Sequence, residues 1–268
     1  VALLFLGLGG CSEKGTGPAL DSHSPVALQV DVEGRTTDSL ERVGEALVAR
    51  NLVATLFVSP HFARLFSATV HDFYLKGFEV AFLNPWSASP SYEVQARWTS
   101  LGYQWVAGCS LCSLGRPVVG MRPAGFAQNE HTFCILDSLK MAYNAGFQAR
   151  LIYAGGHEGD MAPYRVEGYQ FVAVPVSTAW WQDTWVCLTD EAAVARGLGP
   201  VDWGDLLARG LEEAQSGKGP LVMVVHDTVV GEPDSPYWSA FLGFLDRGQT
   251  RGARFVTTEE LVFEYVAE

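Results

Sequence analysis

Short apolar runs alternate with amphipathic stretches along most of the chain. The run 26–32 (VALQVDV) predicts a buried strand, and the apolar stripe of Leu40, Val43 and Leu47 predicts a helix over 37–51. Further strands are predicted at 53–59, 78–84, 102–108, 118–123, 147–154, 169–177 and 220–227, and further helices at 62–77, 129–146, 201–217 and 235–250. The last segment, 253–268, predicts one more strand and one more helix.

This order of elements predicts the fold class. Strands that alternate with helices through short loops form a parallel sheet, and nearly continuous apolar strands are expected where both faces of the sheet are covered. With 48% hydrophobic residues, the chain is also able to bury one large core. The sequence therefore predicts one α/β domain over residues 25–268, and favours a closed or distorted (β/α) barrel over an open sheet.

Polar residues at the ends of the predicted strands are the candidates for chemistry, because barrels carry their active sites there. Asp31 and Glu33 end the first strand at a spacing that points both side chains the same way, although a solvated strand end would show the same pattern. His226 ends 220–227 and could act as a general acid or cap a backbone carbonyl. Arg122 could orient a carboxylate or form a surface ion pair.

Together these segments resemble the NodB-type polysaccharide deacetylases of carbohydrate esterase family 4. The stretches VDVEG, GMRPAGFAQN, YQFVAVPVSTAWWQD and VMVVHD are similar to the first, third, fourth and last motifs of that family. The resemblance implies a distorted barrel that removes acetyl groups from a glycan. It implies Asp31 as base, His226 as acid and Arg122 as the residue that orients Asp31, with Glu33 as a ligand of a divalent metal such as zinc.

The second motif departs from the family. The family has two histidines four residues apart that bind the metal, and the matching segment GFEVAFLNPWSASP places Leu83 and Ser87 there. Zinc sites usually use three protein ligands and a water, so the remaining carboxylate alone would bind the metal weakly. His61 and His157 are possible substitutes, although both also fit ordinary loop histidines. The sequence therefore predicts lost or altered metal-dependent activity.

An alternative is a glycan-binding or scaffolding protein without turnover. Trp86, Trp180, Trp181 and Trp185 could stack on sugar rings, because aromatic faces suit the apolar faces of sugars. Of these, Trp86 and Trp181 are the candidate substrate-binding residues, together with Asp183. Core packing would explain the same tryptophans. A third hypothesis is hydrolysis by two carboxylates. Asp31 and Glu33 lie too close along one strand for this, so a partner such as Asp183 or Glu158 would be required.

The first residues predict the location of the protein. The stretch VALLFLGLGGCSEKGTG is an apolar run that ends in small residues and Cys11, and it resembles the lipobox of bacterial lipoproteins. Residues 1–11 are interpreted as a lipoprotein signal, truncated at its start because no Met or charged region precedes it, and 12–24 as a polar tether. We expect a cell-envelope protein attached to the membrane through lipid on Cys11. In a Gram-negative cell, Ser12 in place of Asp favours the outer membrane, facing the periplasm.

The net charge and the cysteine content argue for and against particular classes of function. The net charge of −12 and the lack of any basic run argue against nucleic-acid binding. In an oxidising compartment, Cys109, Cys112, Cys134 and Cys187 could pair in any of three ways, or Cys109 and Cys112 could form a redox pair or half a metal site. Because no second CxxC follows, a structural disulfide or free buried thiols are favoured.

Overall fold

The computed structural model describes residues 24–89, 91–114 and 117–266, with the side chains of 109–114 excepted. The strands within these residues are β1 (Pro25–Val32), β2 (Thr55–Val58), β3 (Glu79–Asn84), β4 (Gly120–Pro123), β5 (Tyr143–Gln148), β6 (Tyr164–Arg165), β7 (Val172–Val176), β8 (Thr178–Trp181), β9 (Thr184–Cys187), β10 (Leu221–His226) and β11 (Arg254–Val256). The helices are α1 (Asp38–Val48), α2 (Pro60–Leu65), α3 (Ser67–Leu75), α4 (Tyr92–Leu114), α5 (Glu130–Ser138), α6 (Asp190–Ala195), α7 (Pro200–Glu213), α8 (Trp238–Thr250) and α9 (Thr258–Val266).

The main sheet runs in the order β10-β1-β2-β3-β4-β5-β7-β6, and β11 also pairs with β1. Its pairs are parallel except for β6 with β7. The sheet curls until β10 meets the segments on either side of the β8–β9 hairpin. There the Ser177 amide donates to the Val222 carbonyl, and the Val224 amide donates to the Leu188 carbonyl. The predicted distorted (β/α) barrel is confirmed.

Both faces of this sheet are buried, which explains the nearly continuous apolar strands. Alternate residues point inward and form one apolar cluster, as Ala27, Phe57 and Val222 do. Their neighbours, such as Leu28 and Leu56, pack outward against the helices. The inward series of β1, β4 and β10 ends in polar residues, and these form the candidate site.

Helix α9 closes the barrel at the end opposite the candidate site. The Thr258 amide donates to Thr55 Oγ1 at 2.8 Å, and the Glu259 amide donates to Glu79 Oε2 at 2.9 Å. The Tyr143 hydroxyl donates to Glu79 Oε1 at 2.5 Å. Burial raises the pKa of Glu79 to about 7, although these hydrogen bonds act in the opposite direction. A buried carboxyl group therefore anchors the C-terminal helix.

Two helix predictions were wrong in their extent. The predicted helix 62–77 is two helices. Ser59 Oγ accepts a hydrogen bond from the Phe62 amide at 3.3 Å and so caps α2, and Phe66 leaves helical geometry between α2 and α3. The predicted helix 129–146 ends at Ser138, since Lys140 adopts a positive φ of 55° that turns the chain into β5.

Two strand predictions were also wrong. The predicted strand 102–108 lies inside α4, where Thr99, Gly102 and Val106 repeat at helical spacing and are buried. The predicted strand 147–154 begins earlier, at Tyr143, and ends at Gln148. The β8–β9 hairpin was not predicted, because its turn uses Gln182 and Asp183 at positive φ where glycine or asparagine is the usual signal.

Several predictions lie outside the described residues. These are the signal over 1–11, the lipidation of Cys11, nearly all of the tether and the side chains of Cys109 and Cys112. Cys134 is exposed, Cys187 is buried, and both are free thiols. Within the described residues, no helix combines the length and the apolar character needed to cross a bilayer.

Candidate active site

Three strands bring Asp31, Arg122 and His226 together inside the mouth of the barrel. Asp31 lies opposite His226 in the pairing of β1 with β10. Arg122 Nε is 3.0 Å from Asp31 Oδ1, and His226 Nε2 is 3.6 Å from Asp31 Oδ2. All three side chains are buried. The three residues that the sequence predicts to be catalytic are thus neighbours. Their roles stay predictions.

Arg122 is enclosed completely and holds Asp31 through charge. Its Nε and Asp31 Oδ1 lack the geometry of a hydrogen bond, so their contact is an ion pair. Its Nη2 donates to Gln29 Oε1, and the guanidinium carbon lies 4.5 Å from the Phe57 ring and 5.2 Å from the Phe126 ring. Burial raises the pKa of Asp31 to about 6, although Arg122 and His226 act to lower it. Asp31 is therefore a stronger base than an exposed aspartate.

His226 is fixed by Asp190, the first residue of α6. Asp190 Oδ1 lies 2.6 Å from His226 Nδ1, and Asp190 Oδ2 accepts from the His226 amide at 2.8 Å. Burial by itself lowers the pKa of His226, but the hydrogen bond and charge of Asp190, with Asp31 and Glu191, outweigh it and raise the pKa to about 9. At neutral pH the site therefore holds an imidazolium beside a carboxylate, an acid next to a base.

Asp190 was missed by the sequence reasoning. The available sequence signal is local. Thr189 Oγ1 accepts a hydrogen bond from the Ala192 amide at 2.9 Å and so caps α6, and two acidic residues follow Thr189. That pattern predicts a helix start. It does not indicate that this start lies against the end of β10, thirty-six positions further on.

Carboxylates also line the rim of the site. Glu191 is about half exposed, and its Oε2 is 3.3 Å from His226 Nε2. Asp227 accepts from the amides of Glu33 and Gly34, both at 3.0 Å, and so fixes the loop after β1. Partial desolvation of the Glu33 carboxyl, together with Glu191 and Asp227, raises its pKa. A Cβ at Gly34 would lie 2.7 Å from Asp227 Oδ2, so this close approach requires glycine.

No protein-family model and no curated protein matches the sequence. Solved structures do match it. A probable polysaccharide deacetylase from Pseudomonas aeruginosa PAO1 superposes with a TM-score of 0.72 at 11% identity, over 91% of each chain. The fold is that of the polysaccharide deacetylases.

Other proteins with the polysaccharide deacetylase fold differ in what they do. An allantoinase superposes with a TM-score of 0.73 at 10% identity, over 94% of this chain and 92% of the other. A carbohydrate esterase family 4 pseudoenzyme from Bacillus anthracis superposes with a TM-score of 0.57 at 13% identity, over 90% of this chain and 66% of the other. The fold therefore does not by itself determine the substrate or establish turnover.

The residues at the second motif do not fit the metal that the polysaccharide deacetylase resemblance implies. Leu83 is an inward residue of β3, 1% exposed and paired with Arg122 across the sheet. Ser87 is buried, and its hydroxyl donates to the Ala127 carbonyl at 2.7 Å. An apolar side chain and a hydroxyl already bonded to backbone replace the two histidines. Of the implied metal ligands, Glu33 remains, and one protein ligand is too few for a zinc site.

The two proposed substitutes do not complete a ligand set. His61 lies on α2 and is exposed. His157 bonds to Asp160 Oδ2 through Nδ1 at 2.7 Å, and its ring stacks on Tyr164 with 4.0 Å between centroids. Among the described residues, no group of three or more His, Cys, Asp or Glu side chains is arranged to hold a metal ion.

The three candidate substrate-binding residues have separate surroundings. Trp86 packs against Trp98 of α4, with 5.7 Å between ring centroids and 30° between the ring planes. Trp181 packs against the helix-side core, and the guanidinium of Arg209 lies 5.2 Å from its ring. Asp183 forms the β8–β9 turn. Whether any of them binds substrate stays a prediction.

Proposed function

We propose that this protein is a polysaccharide deacetylase-like protein of the cell envelope that binds a glycan and has lost the metal-dependent form of deacetylation. The observation that carries the proposal is the replacement of both motif histidines by Leu83 and Ser87, one apolar and one bonded to backbone. In metal-dependent hydrolysis the ion lowers the pKa of a water and polarises the carbonyl. Neither replacement is placed to hold such an ion.

The proposal includes the location predicted from the sequence. Lipid on Cys11 would anchor the protein to the membrane, and the polar tether 12–24 would let the domain reach a glycan of the envelope. In a Gram-negative cell this is the outer membrane, facing the periplasm. The support is the lipobox-like sequence.

Metal content of the full chain tests the proposal. After incubation with zinc and removal of excess, mass spectrometry is expected to find well below one zinc per chain, and acetylated chitooligosaccharides are expected to release no acetate. The double variant Leu83→His/Ser87→His should gain zinc, while its matched control Leu83→Asn/Ser87→Asn should not. The opposite result would be near-stoichiometric zinc in the unchanged protein and its loss in the double variant Glu33→Ala/His157→Ala. That result would overturn the proposal and indicate a rebuilt metal site.

A second candidate function is acyl hydrolysis by the Asp31–His226 pair alone. The observation that favours it is the 3.6 Å separation of His226 Nε2 from Asp31 Oδ2, with Asp190 behind the imidazolium. The Asp31 carboxylate would accept a proton from water as the water oxygen attacks the acetyl carbonyl. His226 Nε2 would then donate its proton to the leaving oxygen as the acyl bond breaks.

The second candidate makes a distinct prediction. Acetyl esters are expected to be hydrolysed in the presence of EDTA, and the activity should be lost in both Asp31→Asn and His226→Gln. An activity that survives Asp31→Asn would exclude this base, and no ester hydrolysis at all would leave glycan binding as the function.

A further inference from the structure

A glutamine lies in the middle of the apolar barrel interior. Alternate residues of β1 point inward, so Gln29 lies between Ala27 of the inward apolar cluster and Asp31 of the candidate site. Gln29 is fully buried. A buried amide that lacks hydrogen-bond partners destabilises a protein, so the partners of Gln29 decide how its side chain is oriented.

Gln29 uses both ends of its side-chain amide. Its Oε1 accepts from Arg122 Nη2, and its Nε2 donates to Thr258 Oγ1 at 3.0 Å. Thr258 is the first residue of α9, the helix that closes the opposite end of the barrel. The side chain of Gln29 therefore connects the arginine of the candidate site with the C-terminal helix.

Two buried hydroxyl groups extend this connection into a hydrogen-bond network. Thr258 Oγ1 donates to Thr55 Oγ1 at 2.8 Å, and Thr55 Oγ1 donates to Glu79 Oε2 at 2.7 Å. A hydroxyl group has one proton to donate, and both of these protons are used in the direction of Glu79. Thr258 Oγ1 can therefore only accept from Gln29, which fixes the amide with Nε2 toward Thr258 and Oε1 toward Arg122.

The guanidinium of Arg122 depends on this acceptor. Within the part of the chain that the structure describes, Arg122 Nε and Nη1 have no hydrogen-bond partner. The contact of Nε with Asp31 Oδ1 at 3.0 Å is an ion pair, which is less directional than a hydrogen bond. The bond from Nη2 to Gln29 Oε1 therefore sets the plane of the group that holds Asp31.

We propose that Gln29 and Thr258 are positioning residues for Arg122. Through them, α9 at one end of the barrel fixes the guanidinium beside Asp31 at the other end. Loss of the Thr258 hydroxyl leaves Gln29 Nε2 buried without an acceptor, and the amide then turns or withdraws from Arg122. The inference goes beyond the proposed glycan binding, because it concerns the protein without any ligand.

Rotation of the Arg122 guanidinium about its Nε–Cζ bond tests the inference. The full chain is labelled with ¹³C and ¹⁵N, and NMR exchange spectra give the rate at which the two Nη atoms of Arg122 interchange. Thr258→Val keeps the shape of the side chain but removes its hydroxyl. It should raise this rate about tenfold or more, because a hydrogen bond to a charged group opposes the rotation. Gln29→Leu removes the acceptor itself and should raise the rate at least as much, while Thr258→Ser keeps the hydroxyl and should restore a rate close to that of the unchanged protein.

A control on the same helix separates positioning from stability. Leu261→Ala removes a buried apolar side chain of α9 that takes no part in the hydrogen-bond network. This variant should lower the unfolding free energy in urea and leave the rotation rate of Arg122 unchanged. An unchanged rate in Thr258→Val, or an equal rise in Leu261→Ala, overturns the inference. Either result leaves the proposed glycan binding intact, since no glycan takes part in the measurement.

Discussion

Replacement of Asp190 by asparagine should lower the pKa of His226 and destabilise the protein in a pH-dependent way. Asp190 contacts both the ring and the backbone of His226, through Oδ1 at 2.6 Å from Nδ1 and through Oδ2 at 2.8 Å from the amide. The asparagine side chain keeps the shape of the aspartate but carries no charge. It also presents its own N–H group to one of the two donors, so one hydrogen bond is lost.

The size of the effect follows from the contact. A hydrogen bond to a charged group contributes about 1.5–3 kcal/mol, which equals about 1–2 pKa units at 1.36 kcal/mol per unit. The pKa of His226 should therefore fall from about 9 to about 7–8. The opposed N–H groups add about 1–3 kcal/mol of destabilisation that does not depend on the charge of the ring.

The pH dependence has a definite sign. Because the pKa of His226 is raised from 6.5 to about 9 in the folded protein, its contribution is complete below pH 6.5 and is lost as the pH rises through 9. The free-energy difference between the protein and Asp190→Asn should therefore be larger at pH 6 than at pH 9.5. The part that remains at pH 9.5 measures the lost hydrogen bond and the two opposed N–H groups.

The assay is an NMR titration of the labelled His226 ring, with urea unfolding at pH 6 and pH 9.5. Glu191→Gln is the matched control, because its carboxylate lies 3.3 Å from Nε2 but is about half exposed. An exposed pair contributes less than about 1 kcal/mol, so this variant should lower the pKa by less than about 0.7 units. A pKa that Asp190→Asn leaves unchanged, or that Glu191→Gln lowers as much, would refute the argument.

Three further predictions concern the barrel. Arg122→Met should cost about 3–5 kcal/mol because it removes one of the two cations beside the buried Asp31 and leaves only His226, 3.6 Å away. Asp31→Leu in the same chain should recover most of that loss in urea unfolding. Glu79→Gln should flatten the pH dependence of stability. Since burial raises the pKa of Glu79 from 4.5 to about 7, the folded protein keeps a proton that the unfolded chain releases, and about 3 kcal/mol is lost as the pH rises between those values. Gly44→Ala should lower the unfolding free energy by about 1–3 kcal/mol, because the new Cβ would lie 2.1 Å from a ring carbon of Phe73.

Each of these three predictions has a control variant or a contrary outcome. Arg50→Met breaks the exposed pair with Asp246 and should cost less than about 1 kcal/mol. Gly204→Ala, whose Cβ would meet only ordinary contacts, should stabilise α7 by up to about 1 kcal/mol. The reasoning on Arg122 would be contradicted if Arg50→Met lost as much unfolding free energy as Arg122→Met. The reasoning on Glu79 would be contradicted if Glu79→Gln left the pH dependence of stability unchanged. The reasoning on Gly44 would be contradicted if Gly44→Ala and Gly204→Ala changed the unfolding free energy equally.

The barrel was predictable because its strands are covered on both faces and so carry unmistakable apolar runs. The same feature misled at 102–108, where Gly102 and Val106 of α4 form an apolar stripe that a short window cannot distinguish from a strand. The candidate site was predictable where strand ends carry it, as with Asp31 and His226. Asp190 was missed because its position against β10 comes from packing across the barrel, which no local pattern encodes.

The buried cluster around Asp31 is compatible with turnover but does not require it. Asp31, Arg122, His226 and Asp190 are enclosed together, so removal of any one leaves a neighbouring charge with fewer partners, and stability alone can maintain the set. The double variant Asp31→Leu/Arg122→Met separates these explanations. If the apolar pair is as stable as the charged pair, stability does not account for the charges, and a role in binding or proton transfer does. If the double variant stays as unstable as Arg122→Met alone, the charged pair itself stabilises the fold, and stability is sufficient to account for the cluster.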